Sequence, residues 1–288
     1  MTQTIRPTVA DTASRLVDTI RSYGPVAVAY SGGVDSAVVA KAAFEAWGSQ
    51  AIAVTAVSPS LAGIERTIAR VEAERIGIRH IEISTDEFSR DEYRRNAGDR
   101  CFYCKDTLYS LAAEKLAELK VVLIVNGANA DDLGDHRPGM KAAANHGIRS
   151  PLIELNLTKS DVRNLARYWD LSVSEKPAAP CLASRIAYGV EVNEERVARI
   201  EQAEAFLREL TGISEFRVRL EANELARIEV PVNDIARICV AETRQVLVER
   251  FRSLGFRSVT IDLEGFRSGN LNAALSLVQL GATHSKHE

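Results

Sequence analysis

The chain has 288 residues, of which 46% are hydrophobic and 26% are charged, and its formal net charge is −3. These values are typical of a globular protein with more than one domain, and they exclude the strongly basic surface that dominates binding to nucleic acid. Nucleic acid is therefore not an expected partner. The N-terminus lacks the apolar stretch of a signal peptide, and no run approaches the roughly 18 apolar residues of a membrane span. We expect a cytoplasmic protein without a membrane partner.

The first 190 residues alternate between helical and apolar strand patterns. Helices are predicted at residues 11–22, 37–44, 62–76, 106–119 and 162–169, and strands at residues 26–29, 50–57, 80–84 and 121–125. This alternation predicts an α/β fold with a doubly wound parallel sheet, in which ligands bind beyond the carboxyl ends of the strands. Loops at residues 31–36, 58–60 and 126–132 follow strands, so we expect them to face one crevice.

Residues 31–36 read Ser-Gly-Gly-Val-Asp-Ser and lead from the first strand into a helix. Such a turn is typical of an anion site, because backbone N–H groups and the helix dipole favour negative charge. The candidate nucleotide-binding residues are Ser31, Gly32, Gly33, Asp35 and Ser36; the alternative is an ordinary strand-to-helix turn. The loop lacks the lysine of the Gly-x-x-x-x-Gly-Lys-Ser/Thr motif. It resembles instead the pyrophosphate loop (PP-loop) of the ATP pyrophosphatases, which implies that it binds ATP.

The segment after the fourth predicted strand, residues 126–139, is rich in turn-forming and acidic residues. Carboxylates near a phosphate site suit Mg²⁺, so Asp35 and Asp131 are candidates for holding the metal or for organising the loops. Gly127, and Ser58 after the second strand, complete the predicted nucleotide-binding set. The alternative for the acidic residues is a surface turn with solvated charges.

Cys101 and Cys104 form a Cys-x-x-Cys motif flanked by Arg100 and Lys105. The motif alone is compatible with a zinc site, a redox pair or ligands of an iron–sulfur cluster. The five histidines form no pair at the spacing of a structural zinc site. A thioredoxin-type pair would stand early in a βαβ unit. A further alternative is that both cysteines are buried as small hydrophobic residues.

Cys181 follows two prolines in the segment Lys-Pro-Ala-Ala-Pro-Cys-Leu-Ala-Ser-Arg, which predicts a rigid, extended approach to the thiol. Three thiolates, two in the motif and one remote, can hold three irons of a [4Fe–4S] cluster and leave the fourth iron open to a sulfur ligand. Arg100, Lys105 and Arg185 beside the cysteines would favour thiolate over thiol. Cys239 lies in a helical apolar pattern and is predicted to belong to the core.

Composition changes near residue 190, which predicts two domains, residues 1–190 and residues 191–288. The second reads as a small α+β domain with a largely antiparallel sheet. Its predicted helices are residues 193–210 and 233–254, and its predicted strands are residues 215–221, 225–230 and 258–263. The long second helix is a candidate interface, and we expect a homo-oligomer.

Two strands of this second domain carry alternating charged residues. Arg217 and Arg219 share one face of their strand, and Arg227 and Glu229 share a face of the next. Arginine forks suit phosphate and carboxylate oxygens, so these side chains can form an anion site. The alternative is a solvated sheet face with ordinary salt bridges.

Residues 31–36, 100–105, 126–139, 176–185 and 217–229 together resemble the ATP-dependent sulfur transferases of the LarE family, which act in making the nickel-pincer nucleotide cofactor of lactate racemase. The resemblance implies that ATP adenylates the carboxylates of a small-molecule nucleotide, pyridinium-3,5-biscarboxylic acid mononucleotide, which become thiocarboxylates. It also implies that Cys181 receives the acyl group from AMP. Arg185, Arg217, Arg219 and Glu229 match the substrate-binding segments.

In some members of that family the matching cysteine loses its sulfur and dehydroalanine remains, so the enzyme is consumed. Cys101 and Cys104 depart from this single-cysteine pattern and are similar to the three-cysteine members, in which a [4Fe–4S] cluster carries the sulfur. The resemblance thus implies that Cys101, Cys104 and Cys181 are both catalytic residues and cluster ligands. It implies ATP, Mg²⁺ and a [4Fe–4S] cluster as cofactors, and a sulfide donor as a partner.

Three other functions are compatible with these patterns. A tRNA thiolase can combine the same loop with a Cys-x-x-Cys motif and a remote cysteine, although it would favour a basic surface and an RNA-binding extension. A nucleotide-binding module without catalysis could sense iron–sulfur status. An ammonia-using synthetase could carry the loop but would not need the three cysteines.

Overall fold

A computed structural model of the chain describes residues 7–134 and 138–267. Residues 135–137 of the predicted acidic loop and residues 268–288 of the predicted second domain lie outside these ranges. In chain order the helices and strands are α1 (Val9–Ser22), β1 (Val26–Ala29), α2 (Val34–Trp47), β2 (Ile52–Val57), α3 (Gly63–Ile76), β3 (Arg79–Ser84), α4 (Asp91–Arg94), α5 (Arg100–Leu119), β4 (Leu123–Val125), α6 (Pro138–Asn145), α7 (Pro151–Glu154), α8 (Lys159–Tyr168), α9 (Glu194–Thr211), β5 (Arg217–Glu221), β6 (Leu225–Glu229), α10 (Ile235–Cys239), α11 (Ala241–Ser253) and β7 (Ser258–Ile261).

By compactness the chain divides into two units. The first comprises the residues up to Glu87 together with Cys101–Ala179, and the second comprises Phe88–Arg100 together with the residues from Pro180 onward. The predicted boundary near residue 190 therefore falls inside the second unit. Backbone pairing that no composition change reveals joins the residues before 190 to this unit, since the N–H of Ala187 donates to the carbonyl of Leu220 in β5 at 2.9 Å.

The first unit contains a parallel sheet in the strand order β3-β2-β1-β4. In β1, Val26 and Val28 pack into a core with α1, α2, α3 and α8 on one face, whereas Ala27 packs into a second core with α5 and α6 on the other. Alternate residues of a strand are buried on opposite faces only when both faces are covered. The predicted doubly wound α/β fold is confirmed.

Small side chains hold α2 at the end of β1. Ala37, Val38 and Ala40 of α2 have no exposed surface. Chain order reverses between β1 and β4, because the chain runs from β1 through β2 to β3 on one side and returns to β4 on the other. Ligands of such sheets bind at this switch point, outside the carboxyl ends of the strands. Residues 31–36 follow β1 and residues 126–132 follow β4, so both loops stand at that point.

The second unit contains a three-stranded sheet in the order β5-β6-β7. β5 and β6 are antiparallel, but β6 and β7 are parallel. The prediction of a largely antiparallel sheet is therefore wrong for one of the two pairings. The physical reason is the connection: α10 and α11 lie between β6 and β7 in the chain, and a helical crossover of this kind joins parallel strands.

The helix predicted over residues 233–254 is two helices. Val240 separates α10 from α11 in an extended conformation, with φ −61° and ψ 146°. No glycine or proline marks the break, so the apolar pattern runs through it. Cys239 ends the short α10 and is exposed, and Ile238 is the buried residue of that helix; the prediction that Cys239 belongs to the core is wrong.

Among the helices within the described ranges, none is both long and apolar enough to cross a membrane.

Candidate functional site

The phosphate loop, residues 31–36, joins β1 to α2. The hydroxyl of Ser36 accepts from the backbone N–H of Ser31 at 3.2 Å and donates to the carbonyl of Gly33 at 3.0 Å. The first N–H groups of α2 have no side-chain cap, so the loop offers backbone donors at a helix N-terminus, which suits an anion. After β2, the hydroxyl of Ser58 accepts from the N–H of Ser60 at 3.3 Å and shapes the neighbouring turn.

Glycines at this end of the sheet serve two different purposes. Gly32 has φ +69°, and a Cβ there would lie 2.7 Å from the Cβ of Ala69 in α3. A Cβ on Gly127 would lie 2.7 Å from the backbone nitrogen of Ser36, so the loop after β4 packs directly on the phosphate loop. Gly33 differs, because a Cβ there would meet only a hydroxyl of the same loop at 3.4 Å. Packing does not require glycine at position 33, but a close ligand would.

Asp35 ties the phosphate loop to two other segments of the first unit. Its Oδ2 lies 2.5 Å from Nζ of Lys159, and its Oδ1 accepts from Nδ2 of Asn129 at 3.0 Å. Asp131 accepts from the backbone N–H of Lys159 at 2.9 Å, at the start of α8. Both carboxylates thus organise the loops around the switch point.

Sequence reasoning missed two lysines of the first unit that contact the phosphate loop or its aspartate. Lys159 pairs with Asp35, and Lys176 donates to the carbonyl of Gly32 at 3.2 Å and to Glu65 at 2.6 Å. Lys159 follows a helix cap, and Lys176 precedes a proline. Each lysine therefore lies next to a residue that fixes the backbone, which is a recognisable sequence feature. The sequence does not show, however, in which direction the lysine side chain points.

Cys101 and Cys104 lie in the first turn of α5. Residues three apart on a helix share a face, so the two thiols are neighbours. Cys101 is exposed and Cys104 is partly exposed, which excludes the alternative that both are buried hydrophobic residues. Arg100, predicted to favour their thiolates, is only 4% exposed and donates to the carbonyl of Ala183 at 2.8 Å in the second unit.

The cysteine loop, residues 180–185, presents an exposed Cys181 at the start of a 3₁₀ turn. Four of its backbone carbonyls accept hydrogen bonds from three buried arginines. The bonds run from Arg185 to the carbonyls of Pro180 and Cys181 (3.0 Å to the latter), from Arg100 to that of Ala183 (2.8 Å) and from Arg219 to that of Ser184 (2.9 Å). Three guanidinium groups therefore fix the backbone around Cys181.

A buried ion network supports these arginines. Glu229 has no exposed surface, and it accepts from Arg219 at 3.0 Å and from Arg227 at 2.7 Å. Arg219 and Arg227 are paired across β5 and β6, so the carboxylate separates two like charges. Arg185 pairs similarly with the buried Glu204, at 3.1 Å. The alternative of a solvated sheet face is therefore wrong at Arg219 and Glu229.

Arg217 makes different contacts from its neighbour Arg219. Its Nη1 donates to the carbonyl of Phe216 at 2.8 Å, and its guanidinium lies 4.8 Å from the ring centroid of Phe266. Burial, followed by the nearby charge of Arg185, lowers the pKa of Arg217 to about 10. A bound phosphate would raise this pKa, because a nearby negative charge stabilises the charged guanidinium.

The donor chemistry of the site suits metals to different degrees. Within residues 7–134 and 138–267, no group of three or more His, Cys, Asp or Glu side chains is arranged to hold a metal ion. Three accessible thiols suit iron by their chemistry, but Cys101 and Cys104 belong to the first unit and Cys181 to the second. Mg²⁺ usually takes one or two carboxylates and completes its shell with water and substrate phosphates, so the exposed Asp131 suits it.

A parallel α/β sheet with a Ser-Gly-Gly-Val-Asp-Ser loop at its switch point defines a protein of the PP-loop ATP pyrophosphatase class. In agreement, the profile of the family described as Asparagine synthase matches residues 9–211. The chain is 36% identical over 274 residues to the pyridinium-3,5-bisthiocarboxylic acid mononucleotide synthase of Lactiplantibacillus plantarum, covering 95% of this chain and 98% of that protein. This protein therefore belongs to the LarE family.

Two further relatives extend the similarity to other organisms. The chain is 43% identical over 249 residues to an uncharacterized protein of Synechocystis sp., covering 86% of this chain and 92% of that protein. It is 27% identical over 243 residues to an uncharacterized protein of Methanocaldococcus jannaschii, covering 84% of this chain and 91% of that protein. Both matches span most of each chain, so the likeness is not confined to the phosphate loop.

The glycines can be tested by separate alanine substitutions. In Gly33→Ala the new methyl group meets only ordinary contacts, so the free energy of unfolding should stay equal or rise by up to about 1 kcal/mol. ATP affinity should fall, because the methyl group occupies the path of the phosphates. In Gly127→Ala the methyl group overlaps the backbone at Ser36, so stability should fall by about 1–3 kcal/mol. Chemical denaturation and ATP titration calorimetry check both; a Gly33→Ala variant with unchanged ATP affinity would contradict this reading.

The two arginines on β5 should differ in their effect on stability. Arg219→Ala removes one partner of a fully buried carboxylate and should cost about 3 kcal/mol. Arg217→Ala should cost less than about 1 kcal/mol, because burial already disfavours its charge. Chemical denaturation followed by circular dichroism measures both. Equal losses from the two substitutions would show that the network is assigned incorrectly.

Proposed function

We propose that this protein is an ATP-dependent sulfur transferase that converts the carboxylates of pyridinium-3,5-biscarboxylic acid mononucleotide into thiocarboxylates, in the biosynthesis of the nickel-pincer nucleotide cofactor. The observation that carries the proposal is the near full-length similarity to a synthase of pyridinium-3,5-bisthiocarboxylic acid mononucleotide. The exposed Cys181 in a loop held by three arginines supports it, because a nucleophilic thiol must be accessible and firmly placed.

In the proposed first step, a carboxylate oxygen of the substrate attacks the α-phosphorus of ATP, and pyrophosphate leaves. The N–H groups of the phosphate loop and the ammonium of Lys176 would bind the pyrophosphate. Mg²⁺, held by Asp131 and by the phosphates, would supply charge neutralisation. The product is an acyl adenylate, whose AMP is a far better leaving group than the original carboxylate oxygen.

In the proposed second step, the sulfur of Cys181 attacks the acyl carbon, a thioester forms and AMP leaves. The fixed guanidinium groups around the cysteine loop would stabilise negative charge that develops on the acyl oxygen. Release of the thiocarboxylate then has two routes. Either the Cβ–Sγ bond of Cys181 breaks with loss of the Cα proton, which leaves dehydroalanine, or hydrosulfide from a donor attacks the acyl carbon of the thioester and the Cys181 thiolate leaves.

Substrate binding is divided among the four predicted residues. We assign the direct contact with the substrate phosphate to Arg217. Arg185, Arg219 and Glu229 are already bound to backbone carbonyls or to one another, so we assign them the orientation of the cysteine loop and of β5. With this assignment the substrate phosphate would bind to the second unit, the unit that also carries Cys181.

We further propose that Cys101, Cys104 and Cys181 hold a [4Fe–4S] cluster. The support is chemical: two accessible thiols lie one helical turn apart, and the third is exposed in a loop held by three arginines. A cluster held by three thiolates offers an open iron to a sulfide. With such a cluster bound, Cys181 would serve as an iron ligand and the sulfide would supply the sulfur in its place, so the enzyme could turn over repeatedly instead of consuming Cys181.

Product analysis tests the function. With ATP, Mg²⁺ and the biscarboxylic mononucleotide, the protein should form pyrophosphate, AMP and the thiocarboxylate. Mass spectrometry of the reaction mixture detects these products. Cys181→Ser should still release pyrophosphate but form no detectable thiocarboxylate, because adenylation does not need the thiol. Cys239→Ser, altered at the exposed end of α10, is the matched control and should behave like the parent.

Other products would favour the other functions. Sulfur transfer to tRNA but not to the mononucleotide would favour the thiolase alternative. An amide product made with ammonia would favour a synthetase. No cleavage of ATP with any of these acceptors would favour a non-catalytic module.

The cluster has a test of its own. Protein purified without oxygen should contain about four iron and four sulfide per chain. Cys101→Ala and Cys104→Ala should lose this iron and stop after one turnover, whereas Cys239→Ala should keep it. An iron-free parent protein whose mass falls by the equivalent of H₂S during the reaction would instead support the sacrificial route.

A further inference from the structure

Asn96 occupies an unusual position beside the cysteine loop, within the second unit. The residue has no exposed surface, and its backbone φ is +55°, a left-handed conformation that asparagine adopts more readily than most residues other than glycine. Its hydrogen bonds lead towards Cys181.

The side-chain amide of Asn96 is used at both ends. Its Nδ2 donates to three backbone carbonyls that follow the cysteine loop. These belong to Ile186 (3.2 Å), Ala187 (2.8 Å) and Val190 (3.0 Å). Its Oδ1 accepts from Nη1 of Arg100. Because an amide carries donors and an acceptor on one planar group, asparagine can serve both partners, whereas aspartate could serve only the arginine.

Arg100 continues the connection to the cysteine loop. The same Nη1 donates to the carbonyl of Ala183 at 2.8 Å, and the guanidinium is buried. Ala183 lies in the 3₁₀ turn Leu182–Arg185, which begins directly after Cys181. A buried chain of hydrogen bonds therefore runs from Asn96 through Arg100 to the turn that carries the thiol.

We propose that Asn96 is a positioning residue for Cys181, which fixes the cysteine loop in the orientation needed for attack on the acyl adenylate. The proposal rests on the proposed function, in that Cys181 is taken as the residue that receives the acyl group. The hydrogen bonds of the Asn96 side chain lie within the second unit, whereas the phosphate loop belongs to the first. Loss of the amide should therefore slow sulfur transfer and spare adenylation.

Asn96→Gly tests the proposal, because glycine accepts the positive φ but lacks the amide. We expect sulfur transfer, measured per folded molecule, to fall about 10²-fold, as a misplacement of about 1 Å would cause. Pyrophosphate release and the KM for the mononucleotide should stay within about threefold, since neither depends on the thiol. Arg94→Ala, on the same segment as Asn96, is the control: it removes exposed ion pairs with Glu191 and Asp91 and should leave both rates unchanged.

A second variant keeps the test decisive if Asn96→Gly does not fold. Asn96→Asp retains the acceptor for Arg100 but loses both donors, and it should show the same selective loss of sulfur transfer. Sulfur transfer by either folded variant within about threefold of the parent rate would overturn the proposal, as would an equal slowing of pyrophosphate release.

A measurement that does not depend on activity separates the proposal from the proposed function. In a background in which Cys101, Cys104 and Cys239 are serine, the rate of Cys181 alkylation by iodoacetamide should fall about fivefold in Asn96→Gly, because the turn that presents the thiol is no longer held through Arg100. If the parent makes no thiocarboxylate, the proposed function fails, but an unchanged alkylation rate is what would refute the positioning role.

Discussion

Buried guanidinium groups need acceptors, and this requirement sets the structure around Cys181. Arg100, Arg185 and Arg219 are almost fully buried, and each donates to a backbone carbonyl of the cysteine loop. A buried charge without such partners would cost several kcal/mol, so the loop and the arginines stabilise one another. The exposed thiol is thus carried on one of the most firmly held backbone segments of the second unit.

The first unit solves a different problem, the close approach of two loops at the switch point of a parallel sheet. Gly127 lets the loop after β4 pack against the backbone of Ser36, and Asp35 joins that loop and α8 to the phosphate loop. Backbone donors at the N-terminus of α2 then remain available to an anion. The first unit therefore holds the phosphate loop proposed for nucleotide activation, and the second holds Cys181, the proposed acyl acceptor.

Local sequence patterns predicted the parts of the fold that depend on local physics. The phosphate loop, the buried parallel strands and the doubly wound sheet follow from periodicity and from glycine at fixed positions. Contacts between distant residues were not predictable: Lys159 and Lys176 reach the phosphate loop from 124 and 144 residues away. Arg185 and Arg219 were predicted as substrate ligands, yet both are engaged by the cysteine loop, because side-chain direction depends on partners that the pattern does not reveal. The break between α10 and α11 at Val240 was not predictable either, because no glycine or proline stands there.

The central claim is that a substrate carboxylate is adenylated before sulfur is inserted, and an oxygen label tests it most directly. The carboxylates of the mononucleotide would be labelled with ¹⁸O and the products of a reaction with unlabelled ATP analysed by mass spectrometry. The account requires one ¹⁸O in AMP for each thiocarboxylate formed, because the acyl carbon–oxygen bond breaks when AMP leaves. Thiocarboxylate accompanied by unlabelled AMP would contradict it.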